Sequence, residues 1–254
     1  MRHYITIPDI HGEIDKLIIT LKKCNDFLLY NNIEDVQWVF LGDLIDRGNN
    51  NKEVIEKVSE YVYNRNAILC LGNHDDFLIG TAEGDLWSGN CWQANGGFKT
   101  CVELWGKKFD EYFNPLFHPK EYREIILNSF EYDFLKKNAV RFYETDSIYF
   151  SHAPQSNLDS INDTTLIWGH DSDYTHSNDD RIFKTPNNKR LSIHGHFHRL
   201  SDGINFPRIH NYVHGGIKKT VILADSGCGC ADFGELHSVI LKENGKYPEI
   251  VAIL

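Results

Sequence analysis

Gly42-Asp43-Leu44-Ile45-Asp46-Arg47-Gly48 decides how this chain is read. The segment follows the apolar run Val36 to Leu41, broken only by Gln37, and precedes Val54, Ile55, Val58 and Val62 at helical spacing. A strand, a short loop bearing two carboxylates and an arginine, and a helix returning along the strand together place polar side chains at a sheet edge. The same unit stands on either side. Upstream, the strand-like start from Met1 to Pro8 runs into Asp9-Ile10-His11, then Ile14, Leu17, Ile18, Leu21 and Leu28 at the spacing of one helix face. Downstream, Ala67 to Leu71 leads into Gly72-Asn73-His74-Asp75. Three loops rich in metal-binding side chains thus leave one edge of a largely parallel sheet, which defines an α/β fold class.

Beyond this core the pattern changes. From about residue 76 to 138, Trp87, Trp92, Trp105, Phe109, Tyr112, Phe113 and Phe117 stand among Gly and Asn, followed by the helical-looking Tyr122 to Leu135. This reads as a helical insertion beside the site, whose aromatic residues are expected to pack a small subdomain rather than to stack on a base. Strands return at Ile148 to Ser151, ending at His152; at Leu191 to Ile193, ending at His194-Gly195-His196-Phe197-His198; at Val221 to Ala224; and at Leu236 to Leu241. No internal repeat or low-complexity linker divides the chain, so residues 1-254 are expected to form a single domain, and 41% apolar residues suffice for its core.

Composition narrows the function classes. A formal charge of -10 argues against long nucleic acids, whose binding needs a basic face to displace counterions. The polar, Asp-rich stretch from Asn157 to Asn188 reads as a solvated loop. No run approaches the roughly 18 apolar residues of a membrane span, and the strand-like start leads us to expect no cleaved leader and no membrane partner. Six cysteines without a CxxC pair fit reduced core thiols in a cytoplasmic protein, with Cys228-Gly229-Cys230 a structural turn rather than a soft-metal or redox pair.

The mixture of carboxylate, imidazole and amide side chains suits first-row divalent metals better than calcium. Asp9 and His11 can reach one ion, Asp43 has the two oxygens needed to bridge to a second, and Asn73, His152 and His196 would complete that second site. Two such ions can hold a hydroxide between them and clamp a phosphate. Because Asn73 is neutral, two carboxylates face two dications and the centre keeps a net positive charge that attracts a phosphate dianion. Arg47 can fork onto phosphate oxygens. His74 is the candidate general acid for the leaving alkoxide, with Asp46 the natural carboxylate to orient its ring and Asp75 a weaker candidate for that task.

In combination these motifs resemble the calcineurin-like metallophosphoesterases. The long form Gly-Asp-Leu-Ile-Asp-Arg-Gly with Gly-Asn-His-Asp is similar to the phosphoprotein phosphatase branch, especially lambda-type bacterial and phage serine/threonine phosphatases and the related symmetrical diadenosine tetraphosphate hydrolases, with which Trp92 to Gly97 also shares a segment. The resemblance implies a four-layer fold, a β-sandwich of mixed sheets flanked by helices, with two divalent ions at one edge: Mn2+, or Fe or Zn. It assigns Asp9, His11 and Asp43 to the first ion, Asp43, Asn73, His152 and His196 to the second, His74 and Asp46 to acid catalysis, and Arg47 to phosphate. His198 matches a first-ion ligand only in the wider superfamily. Trp168-Gly169-His170 departs from the pattern, since relatives carry Arg at the third position; Arg181 or Arg190 are the substitutes to look for.

The expected activity is a metal-dependent phosphomonoesterase, a serine/threonine protein phosphatase acting by in-line attack of a bridging hydroxide on a phosphorylated protein or small phosphoester. The alternatives are a dinucleoside polyphosphate hydrolase with Trp87 or Trp92 stacked on adenine, a polynucleotide end phosphatase, and a catalytically silent phospho-binding module.

Overall fold

The computed structural model describes residues 1–106, 119–170, 172–173 and 179–254. Phe109, Tyr112, Phe113 and Phe117 of the expected aromatic set lie outside them.

Two mixed sheets face one another. The first has the order β11-β10-β1-β2-β3-β4, from Tyr247–Ile253, Val239–Asn244, Arg2–Ile7, Val36–Phe40, Ile68–Cys70 and Ala139–Val140. The second has the order β5-β6-β7-β9-β8, from Phe142–Glu144, Ile148–Ser151, Leu191–His194, Ile217–Leu223 and Arg208–His214. Strands β1 to β4 run parallel, as do β6, β7 and β9.

Helices cover the outer face of the first sheet. α1 (Ile14–Tyr30) and α2 (Asn51–Arg65) are the crossovers of the first two units. Between β3 and β4 come α3 (Asn73–Glu83), α4 (Leu86–Ala94), α5 (Gly97–Trp105), α6 (Pro119–Leu127) and α7 (Phe130–Asn138). α3 begins at Asn73 itself, so the helix starts inside the third loop and holds that loop's side chains on its first turn. On α1 the buried stripe is Leu17, Thr20, Leu21 and Cys24, whereas Ile18 faces solvent. No helix among the described residues is long and apolar enough to cross a membrane.

Period-two alternation sets the layers. Ile5, Ile7, Trp38 and Phe40 turn toward the helices, while Tyr4, Val39 and Leu41 turn toward the second sheet and meet Ile148, Phe150, Leu191, Ile193 and Ile222. Two hairpins went beyond the sequence reading. His214 pairs with Ile217 across Gly215-Gly216, both at positive φ, the geometry a two-residue hairpin turn requires. Asn244 likewise pairs with Tyr247 across a turn that starts at Gly245, with φ +60. The last pairing begins at Val239 rather than Leu236, because Leu236 spends its carbonyl on the Thr20 hydroxyl of α1.

Register is what positions the site. Ile7 stands opposite Phe40 and Phe40 opposite Leu69, so β1, β2 and β3 end level. In the second sheet Ser151 stands opposite His194 and His194 opposite Leu223. Loops from both sheets therefore open onto one edge of the sandwich.

Phe150 is fully buried between the sheets, with ring centroids 5.6 Å from Tyr4 and 5.5 Å from Tyr143. Phe150→Ala is expected to destabilise the fold by about 3–5 kcal/mol in denaturant titrations; a loss under about 1 kcal/mol would mean that the two sheets are not held by this cluster.

Candidate metal centre

Backbone hydrogen bonds fasten the first two loops together. Ile10 and His11 N–H both donate to the Asp43 carbonyl at 3.0 Å, Gly12 N–H to Leu44 O at 2.9 Å, and Gly48 N–H to His11 O at 2.9 Å. The chain turns sharply to do this. Among the described residues seven non-glycine positions have positive φ, and five of them are His11, Asp43, Asp46, Arg47 and His196, so left-handed strain is concentrated where the candidate ligands sit. Two glycines permit close approaches at the site itself. A Cβ at Gly72 would stand 2.1 Å from Asp43 N, and one at Gly195 would stand 2.0 Å from Asp9 Oδ1.

Asp43 lies at the centre. Among the described residues two groups could hold a metal ion, His11 with Asp43 and His74, and Asp43 with His152 and His196, each with its ligand atoms within 4.8 Å of one another. His11 directs Nδ1–H at the Ile45 carbonyl, 2.8 Å away, which leaves its buried Nε2 without a hydrogen-bond partner and 3.5 Å from Asp43 Oδ2. His152 directs Nδ1–H at the Leu41 carbonyl, 2.8 Å away, and its Nε2 lies 3.5 Å from the same Asp43 oxygen and 3.0 Å from Asn73 Oδ1. His196 Nδ1 is 2.9 Å from that Asn73 oxygen. Imidazole, carboxylate and amide donors thus converge, with the ring protons of His11 and His152 committed behind them, which is the arrangement a divalent cation satisfies.

The electrostatics agree with that fit. Burial opposes the charge on Asp43, yet the imidazoles of His152, His74, His11 and His196 hold it well below the carboxylate range. Burial keeps His11 well below the ordinary imidazole value, and burial with His152 holds His196 down to about 3, so both rings are neutral and available as candidate ligands. Asp9 accepts the His196 N–H at 3.0 and 3.1 Å, and burial with the facing Asp225 and Asp43 pushes its carboxyl well up. Gathered carboxylates of this kind call for a cation.

The structure brings all nine candidates, Asp9, His11, Asp43, Asp46, Arg47, Asn73, His74, His152 and His196, to this edge, with His74 rather than Asp9 in the tight group around His11. His74 Nδ1 lies 2.6 Å from Asp46 Oδ2, and the Asp46 carboxylate is itself held by Trp92 Nε1–H at 2.9 Å and the Thr100 hydroxyl. Burial works against protonation of His74, but Asp43 and Asp46 outweigh it and raise its pKa. Arg47 places Nη2 3.3 Å from His74 Nε2 and Nη1 beside Cys230 Sγ.

Several secondary candidates take other roles. Asp75 does not hold His74; its oxygens accept the N–H groups of Leu44 at 3.0 Å and Gly72 at 3.2 Å, bracing the backbone around Asp43, and burial pushes its pKa up to about 7. Trp92 is buried on Asp46 and offers no face to a base. Arg181 is exposed and forked onto Asp179, and Arg190 immediately precedes β7 at the opposite edge, 4.8 Å over the Tyr247 ring, so neither replaces the missing arginine. His170 points Nε2–H at the Asn157 carbonyl. Cys228 S–H donates to Ile10 O at 3.3 Å while Cys230 meets Arg47, so the pair diverges and serves the loops. His198 joins neither group.

Asp225 is the residue the sequence reading missed. It is buried, accepts Gly227 N–H at 2.8 Å and feels the charges of His198, Arg47 and Asp43. It lies two residues past the end of β9, as Asp9 lies two past the end of β1, so the strand-end rule already applied elsewhere would have found it.

A sandwich of two mixed sheets with this donor set at its edge defines a candidate metal-binding protein. The calcineurin-like phosphoesterase model matches residues 3–200, and the chain belongs to that family. A serine/threonine-protein phosphatase with EF-hands 1 from Rattus norvegicus is 38% identical over 76 residues, covering 28% of this chain and 11% of the relative. The asymmetrical bis(5'-nucleosyl)-tetraphosphatase PrpE of Anoxybacillus flavithermus is 32% identical over 107 residues, 40% of this chain and 41% of the relative. These matches span well under half of each curated relative. A crystal structure of a putative diadenosine tetraphosphatase superposes with TM-score 0.50 and 16% identity over 98% of this chain and 93% of that one, a likeness of fold.

Gly195→Ala tests the centre, since its Cβ must displace the Asp9 carboxylate. Calorimetric titration of the folded variant with Mn2+ is expected to show roughly 10- to 100-fold weaker binding; wild-type affinity would remove Asp9 from the centre.

Proposed function

We propose that the chain hydrolyses phosphate monoesters, with phosphoserine or phosphothreonine proteins as the substrate class, and that Mn2+ is the resident metal, with Fe or Zn the alternatives. The observation that carries this reading is the His74–Asp46 pair at 2.6 Å beside the Asp43 groups. Asp9, His11 and Asp43 would hold one ion and Asp43, Asn73, His152 and His196 the other. When bound, a metal pair supplies Lewis acidity that activates water and offsets the charge of a phosphate.

The chain's own residues do the rest. Arg47, at the mouth of the site, grips phosphate oxygens. Asp46 fixes the His74 tautomer with the proton on Nδ1, and a second proton on Nε2 is available to the departing oxygen. Trp92 and Thr100 keep Asp46 from turning away, which makes the acid rigid before substrate arrives. The six cysteines are free thiols, which supports a reducing, cytoplasmic setting. A second reading, hydrolysis of dinucleoside polyphosphates, is supported by the aromatic residues that begin at His74 with Phe77 and continue to Trp168 and Trp87.

Two outcomes test the reading. His74→Asn is expected to lower kcat about 10²- to 10⁴-fold on a phosphoserine peptide, and much less on p-nitrophenyl phosphate, whose leaving group needs no proton; equal losses on both would remove His74 as the acid. Asp46→Asn deletes a charge that raises the His74 pKa, so the alkaline limb of the kcat/KM profile on phenyl phosphate should move to lower pH. A limb that stays in place would assign it to another group.

A further inference from the structure

Phe77, Trp168 and Trp87 form a continuous aromatic wall that starts at His74 and ends in solvent. Phe77 lies on the same helix, α3, one turn beyond His74, and meets its ring edge-on with centroids 5.8 Å apart. It touches Trp168 at 4.8 Å and Trp87 at 6.1 Å, and the two indoles meet at 5.4 Å. Exposure rises outward along this series. Phe77 is buried, Trp168 half-buried and Trp87 56% exposed, next to the 71% exposed Leu86. Packing accounts for Phe77 but leaves more than half of a large apolar ring of Trp87 in water, an arrangement that marks a binding surface.

Which part of a substrate meets the wall follows from His74. In an in-line displacement the leaving group departs toward the acid, so a group resting on rings that adjoin His74 belongs to the leaving group and not to the transferred phosphoryl. Phe77 stands between His74 and Trp87, so a ring bonded directly to the departing oxygen falls short of Trp87. A ring joined to it through a sugar and further phosphates reaches.

We propose that Trp87, backed by Trp168, is a ring-binding subsite for the base of a nucleoside polyphosphate leaving group. The proposal rests on the phosphoesterase reading of the same centre but not on phosphoproteins being its substrate. A nucleobase has two open π-faces and stacks on an indole for about 1–3 kcal/mol, more than a phenyl ring of a peptide gains from an aromatic pair. In the reaction, a water oxygen forms one bond to phosphorus and gives up its proton to solvent, the bond from phosphorus to the bridging oxygen breaks, and that oxygen leaves with the electron pair as the terminal phosphate of the nucleoside polyphosphate, with His74 beside it as a hydrogen-bond donor.

The test compares Mn2+-loaded wild type, Trp87→Ala and Trp87→Phe on diadenosine tetraphosphate, on inorganic tripolyphosphate, which has the chain without the ring, and on a phosphoserine peptide with a nearby Phe. Wild type should hydrolyse the dinucleotide. In Trp87→Ala the ratio of kcat/KM for dinucleotide to that for tripolyphosphate should fall roughly 5- to 150-fold, chiefly through KM, and Trp87→Phe should restore most of it. Titration of dinucleotide against intrinsic fluorescence should show quenching that Trp87→Phe loses. The proposal is overturned by an unchanged ratio, by a loss confined to the peptide, or by wild type that cleaves p-nitrophenyl phosphate but not the dinucleotide. Absence of all hydrolysis overturns the phosphoesterase reading itself.

Discussion

Asp43 Oδ2 stands 3.5 Å from His11 Nε2 and 3.5 Å from His152 Nε2, and the two histidines come from different sheets. One carboxylate oxygen is thereby faced by both layers of the sandwich. The level strand ends, the left-handed turns and the glycines at 72 and 195 are all conditions for that meeting. Move either sheet by one residue and every side chain on the shifted strand changes face, so the register that buries Phe150 also aims the histidines.

Such a site is costly to hold. Strained backbone at His11, Asp43, Asp46, Arg47 and His196 raises the energy of the folded chain, as do the buried carboxyls of Asp9, Asp75 and Asp225. The opposing term is the continuous core on both faces of the first sheet, from Leu17 and Phe40 on the helical side to Leu41 and Phe150 between the sheets. Hydrogen bonds behind the ligands add specificity rather than bulk stability. The Leu41 and Ile45 carbonyls set imidazole tautomers, and Asp75 ties Gly72 to Leu44.

The first half of the fold was readable because parallel strand-helix units announce themselves through changes of apolar period, and each ended in a run of metal-binding side chains. The second half was less so. β8, Arg208–His214, is an edge strand with few apolar residues, and its Gly215-Gly216 turn was the usable signal. β11 contains Pro248, which suits an edge and hides a strand from pattern reading. Within the site, the ligand types were legible residue by residue, whereas their supports were not: Trp92 and Thr100 reach Asp46 from 46 and 54 residues away, a relation only folding creates. Asp225 was legible in principle, two residues past a strand that ends level with its neighbours.

In the proposed centre Asp43 is shared between two ions. Manganese titration followed by electron paramagnetic resonance addresses it directly. Two ions per chain are expected, with the spectrum of isolated Mn2+ giving way at the second equivalent to that of an exchange-coupled pair, and with the coupling lost in Asp43→Asn. A chain that takes up a single ion, or two ions whose spectra remain those of isolated Mn2+, would contradict the account.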